Sequence, residues 1–141
     1  MASFGPLKNN LGRLTALGKS MGLKKHLKWP TLDEKVIQPN AFYLQVLGYA
    51  VTEYSQSFYA EVLLEEVPNI ATIQDKKFVD KILGIARNHL SLDPKITTEQ
   101  FLREGKWVQQ KLEFLVNFCE RLQQWEGAKS NKVANKPHRG G

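Results

Sequence analysis

The side chains suited to metal binding, thiol chemistry or proton transfer near neutral pH are few: His26, His89, His138 and the single Cys119 in 141 residues. They are scattered, and no pair has the spacing of zinc ligands. One cysteine excludes an internal disulfide framework and fits a reducing compartment. Cys119 sits inside an apolar helical stripe, where burial disfavours the thiolate, so it reads as a small core hydrophobe. His89 lies on or beside another such stripe and reads as a hydrogen-bonded boundary histidine. Glu65 and Glu66 are adjacent, about 100° apart on a helix, which suits a solvated face better than two converging carboxylates. No glycine-rich phosphate loop, Gly-x-Ser-x-Gly, His-Glu-x-x-His or calcium-loop pattern occurs. The expectation is a protein that is not an enzyme, with no cofactor, no metal and no small-molecule substrate.

Charge is the stronger signal. The formal net charge is +6, but it is unevenly spread. Residues 1–32 carry six basic groups and no acid; residues 33–126 carry ten basic and fourteen acidic groups; residues 127–141 carry four basic groups and no acid. A mildly acidic body thus lies between two basic ends. The candidate docking cations are Lys8, Arg13, Lys24, Lys25 and Lys28 with the interleaved Trp29; Lys76, Lys77, Lys81 and Arg87; and Lys129, Lys132, Lys136 and Arg139. Terminal segments with ten cations and no acid seek a polyanion. Nucleic acid and an acidic protein surface such as tubulin both qualify, and charge alone does not choose between them. No nucleic-acid motif or base-reading helix is present, and the acidic body weakens that alternative.

The elements that must carry these groups are helical. Leu7, Leu11, Leu14, Leu17 and Met21 recur at spacings of 4 and 3 and predict a first helix over 5–22, ended by Gly22. Residues 23–39 form an irregular basic segment bracketed by Pro30 and Pro39. From Asn40 to Glu53 apolar residues occupy several faces, including Leu47, as in a buried helix. Ser55 is an N-cap for the helix holding Phe58, which Pro68 ends. Asp75 opens a helix with Phe78, Ile82 and Ile85 on its apolar face. Thr97 and Gln100 have capping-box spacing for a short helix from Thr98 to Glu104 that includes Phe101. Leu112, Leu115, Cys119 and Leu122 form one stripe of the last helix. Trp107, Lys111, Phe114, Phe118 and Trp125 form a second, and Gly127 is its expected stop.

The predicted core is Leu11, Leu14, Leu47, Phe58, Phe78, Ile82, Phe101, Leu112, Leu115, Cys119 and Leu122. The fold class is all-α, with about six or seven helices in one domain over 1–127 and a basic flexible tail over 128–141. No apolar run reaches the ~20 residues that span a bilayer, and no secretory signal opens the chain. The aromatics Phe42, Tyr43, Tyr49, Tyr54, Phe58 and Tyr59 read mainly as core. A surface built on Tyr43, Tyr49, Tyr54 and Tyr59 is the alternative, which would make the protein a protein–protein scaffold.

Tyr54-Ser55, the run from Asp75 to Leu83, Arg87 through Leu90, the run from Pro94 to Leu102, and Gly105 together resemble the N-terminal domain of the centrosomal protein 44 family. Leu7-Lys8 with Leu11, Leu14 and Leu17 resembles that domain's first helix. The resemblance implies a compact calponin-homology-like fold and a non-enzymatic role at microtubules, centrioles or the spindle pole. The implied partners are tubulin or microtubules and other centriolar or axonemal proteins; composition gives no membrane contact, and a nucleic-acid-binding helical module stays as the less favoured alternative. The implied location is the cytoskeleton of the cytoplasm: centriole, basal body or ciliary axoneme. A domain with basic arms and no extended coiled coil would suit a structural component of a microtubule lattice, such as one inside a doublet.

Overall fold

The computed structural model describes residues 4–23 and 33–134, with side chains over 7–23 and 33–129. Six helical segments and no strand occur among the described residues. The irregular basic segment with Lys24, Lys25, Lys28 and Trp29, and the final residues with Lys136 and Arg139, lie outside them.

Helix α1 (Phe4–Ser20) turns Leu14 and Leu17 into the core and leaves Leu7 and Leu11 partly covered at its edge. Gly22, with φ of +71°, takes the left-handed conformation that closes a helix end without a Cβ clash. The next described segment begins at Asp33, whose carboxylate accepts the amides of Lys35 and Val36 in a tight turn. This turn delivers the fully buried Ile37 to the core, and its carbonyl accepts the Tyr43 hydroxyl at 2.6 Å.

Helix α2 (Asn40–Tyr49) buries Tyr43, Val46, Leu47 and Tyr49 and widens into a π turn over Ala50–Tyr54. Ser55 ends that turn and accepts the amide of Phe58, capping the next helix as its sequence position suggests. Helical structure continues over 56–66 (α3) as Gln56–Phe58, a second π turn at Tyr59–Leu63, and Leu64–Glu66. The wide turns accommodate one more residue per turn, and both place consecutive apolar residues (Ala50 with Val51, Val62 with Leu63) inward.

Helix α4 (Asp75–His89) is the most amphipathic element: Phe78, Val79, Ile82, Leu83, Ile85 and Ala86 are buried. Helix α5 (Thr98–Phe101) starts with the full capping box of Thr97 and Gln100. It ends at Phe101 rather than Glu104. The carbonyls of Leu102 and Arg103, which could have continued hydrogen bonding along a helix, are instead taken by the side chains of Asn40 and Lys111.

Helix α6 (Val108–Ala134) is the central post. It packs along α1 and against α2, and buries Leu112, Leu115, Val116, Phe118, Cys119 and Leu122. Two sequence-based expectations fail here. Trp107, assigned to the second stripe, stands just before the helix with φ of +57° and is 43% exposed. The left-handed residue turns its side chain away from the stripe that Lys111 and Phe114 continue. Gly127 does not stop the helix, which runs on to Ala134. Lys129, two residues further, pairs with Glu61 and lies over the Trp125 ring at 5.6 Å, and these tertiary contacts outweigh glycine's local cost of about 1 kcal/mol.

Candidate interaction surface

The cations singled out from the sequence divide into engaged and free. Arg13 is engaged. Its guanidinium forms an ion pair with Glu120 and donates to Asn117 Oδ1 at 2.8 Å and Asn10 Oδ1 at 2.9 Å. The hydrogen bond to Glu120 raises the Arg13 pKa against the opposing effect of burial. This fork clamps α1 to α6, so the side chain's donors point inward, away from any external partner. Lys129 is engaged likewise, through Glu61. The backbone of Lys132 lies in the last turn of α6.

Lys8 is exposed on α1 beside a shallow apolar cleft lined by Leu7, Leu11 and Glu34. Lys76, Lys77, Lys81 and Arg87 are all exposed on α4 and form no ion pair among the described residues. At 100° per residue they fall within a solvent sector about 140° wide. Asp80 lies in the same sector, but its carboxylate accepts the Thr98 hydroxyl. Helix α4 therefore offers four exposed cations, with one carboxylate among them, on one broad face.

A second cluster was not anticipated. Lys111 is fully buried, with its ammonium donating to Asn40 Oδ1 at 2.6 Å and to the Arg103 carbonyl. Asn40 donates its side-chain amide to the Leu102 carbonyl at 2.8 Å, and its backbone amide to the Glu104 carboxylate at 3.1 Å. Burial lowers the Lys111 pKa, and the charge of Glu104 opposes that shift. The Lys111 side chain thus fastens the 102–107 turn to the start of α2. Its position within an otherwise aromatic stripe was a signal that it is buried; its partner 71 residues away was not visible.

Cys119 and His89 each have a definite environment among the described residues. Cys119 is fully buried, and burial pushes its thiol up to about 12, with the Glu120 charge adding to the effect. It is therefore protonated and enclosed at neutral pH. His89 is exposed and pairs with Glu66 across 3.4 Å. Tyr43 and Tyr49 are buried, with Tyr49 donating to the Met21 carbonyl at 3.1 Å, so the four-tyrosine surface does not form; only Tyr54 and Tyr59 are half-exposed. The described residues contain no cluster of His, Cys, Asp and Glu able to hold a metal, and no helix long and apolar enough to cross a membrane. A cleft of about 320 Å³ lies between the 91–95 turn and α6, but Arg121 on its wall is spent on the Leu90 and Ser91 carbonyls.

Taken together, these features define an all-α domain whose buried polar groups are used to join elements and whose unpaired charge is displayed outward. Residues 7–136 match the family described as Centrosomal spindle body, CEP44, and the chain belongs to that family. It is 29% identical over 101 residues to the Centrosomal protein of 44 kDa of Xenopus tropicalis. That alignment covers 70% of this chain and 26% of the relative, so the chain spans about a quarter of that protein's length.

Proposed function

We propose that this domain is a non-enzymatic, microtubule-binding structural protein of the centriole or ciliary axoneme. The observation that carries the reading is the exposed face of α4, with Lys76, Lys77, Lys81 and Arg87 unpaired among the described residues. A helical face of this kind suits an acidic protein wall. Lys8 and the cations that the sequence places in the two basic ends add to the same positive charge. Family membership supports a cytoskeletal setting, and a relative named as a centrosomal protein supports the centriole. A calponin-homology-like arrangement of the helices and a position inside a doublet microtubule belong to the same reading, as do centriolar or axonemal protein partners.

The test is co-sedimentation with microtubules across a salt series. Wild-type chain should pellet at low salt and be released as salt screens the contact. Charge reversal at Lys76, Lys77 and Lys81, or separately at Lys24, Lys25 and Lys28, should reduce pelleting severalfold. Equal pelleting of wild type and both variants would remove these cations from the interface, and no pelleting at low salt would end the reading.

A further inference from the structure

We propose that the turn Arg103–Trp107 is a docking site for a carboxylate-rich, extended segment of a partner protein. The Lys106 amide donates to the Arg103 carbonyl at 3.2 Å, so the two cationic residues are the ends of one tight turn. The Cα atoms of such a pair lie within about 7 Å of each other. Gly105, with φ of +72°, occupies the position where such a turn needs a left-handed residue. Trp107 follows directly and is also left-handed, a conformation that a bulky side chain rarely adopts. The consequence is that two cations and an indole leave the domain from the same few residues.

The turn carries two cations and one acid, and the acid already has a partner within the domain. Glu104, the one acid in the turn, is also exposed, but its carboxylate is held by the Asn40 amide and lies in the field of the buried Lys111 ammonium. Arg103 and Lys106 are exposed and have no ion pair among the described residues. Trp107 is one of only two large apolar side chains exposed among the described residues; the other is Leu64. The Lys111 and Asn40 side chains hold the turn from beneath, so it is presented in one shape without a partner.

The chemistry of this triplet selects the occupant. Arg103 offers a planar fork for a carboxylate, Lys106 a point charge for the next, and the Trp107 face a platform for the methylene stem of a glutamate. Trp and Arg are also the residue types that dominate interface energetics. Nucleic acid fits less well. A strand needs a continuous basic track, whereas here two cations sit on a single tight turn. The inference goes beyond microtubule docking, because the occupant is defined by its carboxylates and not by tubulin.

The experiment uses the full chain and a short fluorescent oligoglutamate peptide, followed by anisotropy at low and near-physiological salt. The expected result is binding that weakens with salt and becomes roughly tenfold weaker in Arg103→Glu/Lys106→Glu and in Trp107→Gly. Glycine accepts the left-handed backbone, so loss of binding in that variant is not a folding defect. Circular dichroism of both variants should match wild type. Undiminished peptide binding by both variants, or no binding by wild type at low salt, overturns the proposal. Tighter binding of a single-stranded RNA of similar charge, lost in the same variants, overturns it in favour of nucleic acid. Microtubule pelleting run in parallel separates the two readings: loop variants that pellet normally but lose the peptide uphold this site, and failure of wild type to pellet affects only the microtubule reading.

Discussion

The Lys111 ammonium lies 2.6 Å from Asn40 Oδ1, joining the first turn of α6 to the first turn of α2 inside the core. Both side chains are buried, and no buried side-chain nitrogen or oxygen among the described residues lacks a partner. Replacing Lys111 by methionine keeps most of the volume but strands the Asn40 oxygen and removes one of the two donors to the Arg103 carbonyl. Leaving a buried polar partner unsatisfied costs about 1–3 kcal/mol. The expected loss for Lys111→Met is therefore about 2–4 kcal/mol in chemical denaturation. The double variant Lys111→Met/Asn40→Leu removes the stranded oxygen but frees the Leu102 carbonyl, so its loss should be smaller than the sum of the two single losses. Full additivity of the two substitutions would show that the pair does not interact.

This pair also shows where the sequence was legible. Periodicity located α1, α4 and α6, and the local signatures at Ser55 and Thr97–Gln100 predicted two caps that form. Each of those signals acts within a few residues. Lys111 was readable as part of a buried stripe, but its burial depends on Asn40, 71 residues earlier. Arg13 looked like a free surface cation because Glu120 is 107 residues away. The run of α6 through Gly127 and the outward turn of Trp107 depart from the sequence pattern for a related reason: tertiary contacts and backbone handedness override helical spacing there.

Alkaline pH should destabilise the domain, with Cys119 contributing a measurable share. Burial raises its thiol from an ordinary value of 9.0 to about 12. The folded state therefore keeps a proton that the unfolded state releases. That contribution is fully present below pH 9 and is lost as pH rises towards 12. Tyr43, also raised by burial, acts in the same direction. Lys111 acts in the opposite direction, because its lowered pKa makes the unfolded state bind the extra proton just below pH 10.5. Between pH 10 and 11 the Cys119→Ala variant should show a stability slope shallower by about 1.4 kcal/mol per pH unit, measured by denaturation at several pH values. An unchanged slope would mean that the thiol titrates normally in the fold.

The Arg13–Glu120 clamp should have modest energetic value and high geometric specificity. Both side chains are about a third exposed, so solvent screening limits the ion pair. A double-mutant cycle of Arg13→Ala and Glu120→Ala should give a coupling of about 0.5–1 kcal/mol. Arg13→Lys should lose most of it, because an ammonium cannot serve Glu120, Asn117 and Asn10 together. Retention of the full coupling by lysine would reduce the clamp to simple charge attraction.

Ser55 should be more sensitive than an ordinary surface serine. It is fully buried, its oxygen accepts the Phe58 amide, and its hydroxyl donates to Glu126 of α6. Alanine would remove the cap and leave the Phe58 amide without its partner. The expected loss is about 1–2 kcal/mol. Thermal or chemical denaturation of Ser55→Ala measures it, and Ser55→Asn, which retains a capping oxygen, should restore less than Ser55→Thr because the site is closed.

Two glycines should respond in opposite directions to the same substitution. Gly127 lies inside α6, and a Cβ built there meets nothing within 4 Å. Alanine would restrict the unfolded chain and favour the helix without a clash, so Gly127→Ala should stabilise the domain by about 0.4–1 kcal/mol. Gly105 also has room, its nearest neighbour being the Gln38 side chain at 3.9 Å, but its φ of +72° is strained for any L side chain. Gly105→Ala should therefore destabilise by about 1 kcal/mol or more, despite the open space. Equal and opposite shifts in the midpoint of denaturation would show backbone handedness, rather than packing, setting the sign. A stabilising effect at Gly105 would mean that the 102–107 turn is not held in the left-handed form, and would remove the preorganised presentation of Trp107 as well.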